Sequence, residues 1–168
     1  PTVEQAMQWA QQFRYENNAI VVQFDPKAVD QFLKNHHVKT WTGERPLTLV
    51  WMAVEENGTQ SIVGEYEIST INWQQWFAKD SKTRGIPVLF PLLDLTDQQQ
   101  VSLNDVWYHV GSALKPAASR YQAENTLSGR IFQNLETKQW TADWMLALPS
   151  EQVGWQNEGA NQEELIKA

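Results

Sequence analysis

Three acidic side chains, Asp94, Asp97 and Asp105, come nearest to a chemistry in this sequence. They follow the apolar run Ile86–Phe90, and open α/β sheets place ligands beyond the carboxyl ends of their strands. Carboxylates converging there can bind a cation or act as general acid and general base. The same residues fit turn and capping chemistry: Asp105 completes a capping box with Ser102, Asp94 ends a strand and Asp97 faces solvent. That second reading is preferred. His36 and His37 are adjacent, so their side chains diverge in any regular element, and a metal needs another convergent ligand. His109 falls on the polar side of its predicted helix. Ser128-Gly129-Arg130 lacks the preceding Gly of a nucleophile elbow.

The aromatic residues raise a binding chemistry instead. The chain carries nine Trp. Trp51, Trp73, Trp76 and Trp107 sit at positions that periodicity assigns to the core. Trp140, Ala142, Trp144 and Leu146 share one face of a predicted strand, and Trp155 pairs beside them. Such a face either stacks on a sugar, receives a partner or lines the core, and the core-facing reading is favoured. The candidate binding residues are therefore Trp140, Trp144, Trp155, Asp94, Asp97 and Asp105.

Composition removes several alternatives. Asp and Glu outnumber Lys and Arg 20 to 13, for a formal charge of −7, and the cations are scattered. A phosphate-tracking surface needs a concentrated positive field, so nucleic acid is not expected as a partner. With no Cys, thiolate nucleophiles, redox pairs and thiolate metal sites are excluded. Neither Gly-x-Gly-x-x-Gly nor a Walker loop occurs, and no cofactor is expected. No apolar run approaches the roughly 20 residues that cross a bilayer as a helix.

The elements that must position these side chains alternate at first. Thr2–Phe13 reads as a helix capped by Thr2, Ala19–Phe24 as a strand covered on both faces, and Asp25-Pro26 as the start of a second helix with Ala28, Val29, Phe32 and Leu33 inward. Arg45–Glu55 reads as a central strand. Asn57-Gly58 turns it into Gln60–Tyr66, and this turn is preferred over reading Asn57-Gly58-Thr59 as a glycosylation sequon. Ser69 or Thr70 caps a helix with Trp73, Trp76 and Phe77 inward and Gly85 past its end. Ile86–Phe90 is a further strand and Asp94–Gln100 a loop. The helix opened by Ser102 breaks or restarts between Gly111 and Pro116. Glu124–Phe132, Lys138–Leu148 and Gln152–Gln156 form an antiparallel meander, followed by a helical segment from Asn161. The fold class is thus α/β passing to α+β: a mixed sheet from βα units, then a C-terminal meander, helices packed on the sheet, in one domain over 1–168.

Six segments in this order, Phe24-Asp25-Pro26, Arg45–Trp51, Arg84–Pro87, Pro91–Leu95, Asp105-Val106-Trp107 and Ser119-Arg120-Tyr121, resemble the proteobacterial domain of unknown function family 2066. The stretch from Pro116 through Gly129-Arg130 is more loosely similar to the N-terminal domain of TolB and to envelope lipoproteins of the CsgG and LpoB type. The first resemblance implies an exported protein of the bacterial periplasm or envelope, and the start at Pro1 leaves room upstream for a targeting segment. It transfers no catalytic residue. The second implies a binding or assembly module. The function expected is a non-enzymatic envelope module that binds another protein through the sheet edge or the Trp140–Trp155 region. The alternatives are small-ligand or glycan binding on exposed Trp, and a carboxylate-dependent hydrolase or metal enzyme at Asp94, Asp97 and Asp105.

Overall fold

The computed structural model of the chain describes residues 2–38, 45–66 and 71–166. The chain divides into two compact units, Pro1–Glu44 and Arg45–Ala168.

In the first unit, helix α1 (Val3–Met7) begins with a capping box between Thr2 and Gln5. The helix does not continue to Phe13 as its periodicity suggests. Instead Ala10–Glu16 (β1) pairs antiparallel with Ala19–Phe24 (β2), joined by Asn17 and Asn18, both left-handed at φ 46° and 61°. Two consecutive left-handed residues make a tight hairpin turn, a conformation Asn tolerates. This two-residue turn lets the backbone groups of residues 10–16 satisfy each other across a ladder, which overrides the helical spacing. β2 is a strand as expected, but it is not covered on both faces: Ile20 is 59% exposed. Helix α2 (Pro26–Asn35) starts where the sequence places it, with the Asp25 carboxylate accepting the Lys27 N–H and Pro26 in the first turn. Trp9 packs its ring against Phe32 on this helix.

The second unit is built on β3 (Thr48–Glu56). Its hairpin partner β4 (Thr59–Val63) returns antiparallel through Asn57 and Gly58, both at positive φ. Helix α3 (Trp73–Arg84) is capped by Asn72 and closed by Gly85 in the left-handed conformation. The caps expected at Ser69 or Thr70 lie outside the described residues. The predicted strand Ile86–Phe90 contracts to β5 (Val88–Leu89), parallel to the start of β3. Asp94–Gln100 is not a loop, because Asp94 caps helix α4 (Leu95–Gln100). The Ser102 capping box opens helix α5 (Leu103–Trp107) as the sequence suggests. The chain then breaks at 108–110 and restarts as α6 (Gly111–Ser119), which contains Pro116 within its length. The restart therefore precedes Gly111, and the left-handed residue His109 marks it.

Strands β6 (Asn125–Gln133), β7 (Trp140–Ala147) and β8 (Gln152–Gly159) form the expected meander, followed by helix α7 (Gln162–Ile166). β6 pairs parallel with β3, so the sheet is mixed, in the order β4-β3-β6-β7-β8. β3 is buried along Thr48–Val54 because both sheet faces are covered there. Leu49, Trp51 and Ala53 meet Val106, Leu114, Ala117 and Ala118 of α5 and α6. Val50, Met52 and Val54 meet Trp73 and Phe77 of α3 and Leu165 of α7. Trp144 joins this second cluster, with its ring edge-on to Phe77.

Gly129 lies under that indole. A Cβ at residue 129 would stand 2.2 Å from a Trp144 ring carbon, far inside contact distance. Only Gly leaves room for the ring between β6, β7 and α3. Gly129→Ala is therefore expected to lower unfolding stability by about 2 to 3 kcal/mol, the range of overpacked cores. Chemical denaturation checks this, and Trp144→Leu should recover part of the loss in the double variant because the smaller side chain makes room for the added methyl.

Candidate functional site

The acidic candidates separate into two groups. Asp94 and Asp97 converge, but on a cation supplied by the chain. Arg120, at the end of α6, reaches both oxygens of Asp94 and places Nη1 2.8 Å from Asp97 Oδ1. The second Asp97 oxygen accepts the Leu93 N–H at 2.9 Å and the Tyr121 hydroxyl at 2.5 Å. Tyr121 in turn accepts the Leu92 N–H at 2.8 Å. Asp94 also accepts the Thr96 and Asp97 N–H groups at the start of α4. The Asp97 side chain is wholly buried, contrary to the solvated position read from sequence.

These contacts set the proton affinities. The Arg120 hydrogen bond, helped by the Asp97 N–H, holds the Asp94 carboxyl at about 2. Burial and the hydrogen bond to Asp97 push the Tyr121 phenol up to about 12. The result is two carboxylates gripped by the Arg120 guanidinium, with the Tyr121 phenol donating to the buried one. It fastens the segment Leu92–Asp97 to the end of α6. An acid–base pair would require one carboxylate with raised affinity and another open to a substrate, whereas Asp94 is lowered and gripped by Arg120 and the Asp97 carboxylate is wholly buried. Asp105 stands apart, accepting from the Ser102 N–H and hydroxyl in its capping box, which lowers its proton affinity. Among the described residues no group of three His, Cys, Asp or Glu side chains is placed to hold a metal.

The histidines part in a similar way. His36 follows α2 and bonds the Phe32 carbonyl through Nδ1, while His37 is left-handed and exposed. His109 enters a cluster that the sequence reading missed. Its Nδ1 is 2.8 Å from Ser128 Oγ, and its Nε2 faces Asp143 Oδ2 at 3.8 Å, beyond hydrogen-bond reach. Arg130 meanwhile holds Asp143 with two nitrogens, Nε at 3.0 Å and Nη2 at 2.8 Å. Ser, His and Asp thus stand in a row, brought together from an interhelix break and two adjacent strands. This is not a nucleophile site. Ser128 is 3% exposed, its hydroxyl reaches the Met145 carbonyl, and Asp143 is committed to Arg130. Burial lowers the proton affinity of His109 and outweighs the opposing pull of Asp143. The only signal in sequence was the period-2 placement of Ser128 and Arg130, which puts them on one sheet face.

The Trp candidates are divided by the sheet. Trp144 is buried, its indole N–H donating to Asn157 Oδ1 at 3.0 Å, and Trp140 packs half-buried against the same cluster. Trp155, directly opposite Trp144 in the ladder, stacks on it with ring centroids 6.3 Å apart and stays 38% exposed. The core-facing reading thus holds for Trp144 and largely for Trp140, and Trp155 is the ring that reaches the surface.

Trp155 belongs to the outermost strand. Among the described residues no strand pairs with the outer side of β8. The turn bond from Leu148 N–H to the Glu151 carbonyl fixes the ladder's phase. Antiparallel alternation then directs the backbone N–H and C=O groups of Gln152, Gly154, Gln156 and Glu158 outward. Val153 and Trp155 present exposed apolar side chains on one face of this edge. β8 contains no Pro, Lys or register shift, and its one charged side chain is Glu158 near its end.

Removal of the buried carboxylate by Asp97→Ala should cost about 1 to 3 kcal/mol in chemical denaturation, because it leaves the Leu93 N–H and the Tyr121 hydroxyl without their acceptor while Arg120 keeps Asp94. The pH dependence of stability includes a histidine window and a carboxylate window. His109 is depressed below 6.5 in the fold, so its contribution is complete above 6.5 and is lost as pH falls through the folded value. His109→Asn, which suits the left-handed backbone, should flatten stability across that window. Asp94, shifted from 3.8 to about 2, contributes above 3.8 and loses that contribution as pH falls towards 2, a limb that His109→Asn should retain. No family model matches the chain, and no curated protein or solved structure matches it.

Proposed function

We propose that this chain is a non-enzymatic protein-binding module of the bacterial envelope, which takes an extended segment of a partner onto the outer edge of β8. The observation that carries this reading is the edge itself: an eight-residue strand with outward backbone donors and acceptors and no Pro, Lys or register shift. A strand added there gains main-chain hydrogen bonds along its length, and side-chain pockets at alternate positions supply selectivity. Val153 and Trp155 give that added strand an apolar surface, backed by the buried Trp144. The contrast with the polar clusters supports the same reading. Asp94, Asp97 and Asp143 are engaged by Arg120 and Arg130, whereas the backbone groups at the edge of β8 face outward. A glycan platform is less well supported, since it rests on Trp155 alone. Placement in the envelope is supported by the six segments that resemble domain of unknown function family 2066.

Gln156→Pro tests the edge directly. The Gln156 N–H points outward, so Pro deletes a donor for an incoming strand without breaking the ladder to β7. Cross-linking in cells that make the protein should yield a discrete heterologous adduct from the wild type, absent from Gln156→Pro, in the envelope fraction. An adduct of equal yield in both proteins would contradict binding at this edge, and recovery in the cytosolic fraction would contradict the placement.

A further inference from the structure

We infer that the segment accepted by β8 belongs to another protein and carries a cation three residues before the first of two alternating apolar side chains. This rests on the β8 reading and follows from the register. Side chains of Gln152, Gly154, Gln156 and Glu158 lie on one face of the sheet, and those of Val153, Trp155 and Asn157 on the other. An added strand continues both faces. On the second face, its residues opposite Trp155 and Val153 meet exposed apolar surface, 38% and 46% accessible. On the first face, its residue opposite Glu158 meets an exposed carboxylate with no ion-pair partner among the described residues. Directly opposed unlike charges stabilise a strand pair and like charges oppose it.

Antiparallel addition continues the sense of the meander and is the more favourable ladder. In that sense the partner reads Lys or Arg opposite Glu158, then two polar positions, an apolar residue opposite Trp155, a polar one, and a second apolar residue opposite Val153. A second copy of this chain fits poorly. β8 has no Lys or Arg to answer Glu158, and each copy brings a net charge of −7 to the contact.

The probe is a capped peptide, Lys-Thr-Thr-Ile-Thr-Val-Thr, titrated into the whole chain and followed by amide NMR. The expected result is a set of shifts confined to β8 and its neighbours, with slowed exchange at the outward amides of Gly154 and Gln156. Replacing the peptide Lys by Glu should weaken binding by about three- to tenfold, and Glu158→Lys in the protein should reverse that preference. Equal binding of both peptides would overturn the cation while leaving the edge reading intact. Shifts that survive Gln156→Pro, or none at all on β8, would overturn the edge reading itself. Protection of the Gly154 and Gln156 amides in a concentration-dependent dimer, without peptide, would replace the foreign partner by a second copy.

Discussion

A strand buried on both faces needs cover on both sides, and β3 imposes that demand on everything after residue 45. Its residues alternate between two apolar clusters, Leu49, Trp51 and Ala53 towards α5 and α6, and Val50, Met52 and Val54 towards α3 and α7. The parallel partner β6 cannot follow β3 directly, since parallel strands require a long connection. The intervening chain supplies that connection together with the helices of both layers. What remains after β6 is a hairpin extension, β7 and β8, followed by α7, whose Leu165 joins the cluster of Ala142 and Trp144. The outer edge of β8 is open because β8 ends the sheet order and, among the described residues, no strand pairs beyond it.

The polar side chains serve this architecture. Asp97 fixes the irregular path after β5 by accepting from Leu93, a left-handed residue, and by holding Arg120 and Tyr121 at the far end of α6. Arg130 and Asp143 pair across β6 and β7, and His109 ties the α5–α6 break to the same strands. Each network joins segments distant in sequence, with the buried members engaged by partners from the chain. Buried charges are tolerable when paired and hydrogen-bonded in this way, and the breaking of one partner is costly.

Much of this was legible in the chain. Asp25-Pro26, Asn57-Gly58, Gly85 and the Ser102–Asp105 box act through local backbone chemistry, so their positions matched the elements they mark. The mixed sheet and its C-terminal meander followed from the change of pattern after Tyr121. Other features depended on distant partners. Ala10–Phe13 continues the helical spacing of Thr2–Phe13 and becomes strand only because Asn17-Asn18 folds it onto Ala19–Phe24. Asp97 looked solvated because Arg120 and Tyr121 are remote in sequence, and His109 met Ser128 and Asp143 for the same reason. Trp144 and Trp155 stand opposite one another in the ladder, yet Trp144 is core, packed on Phe77 of α3, and Trp155, on the outermost strand, stays 38% exposed.

Strand addition at β8 requires an open edge, and hydrogen exchange of the free chain measures that openness residue by residue. Amides of Val153, Trp155 and Asn157, bonded to β7, should exchange slowly, while those of Gly154 and Gln156 should exchange close to the rate of an unprotected backbone. Uniform slow exchange across all five in a monomer would mean the edge is already occupied, and would contradict the account.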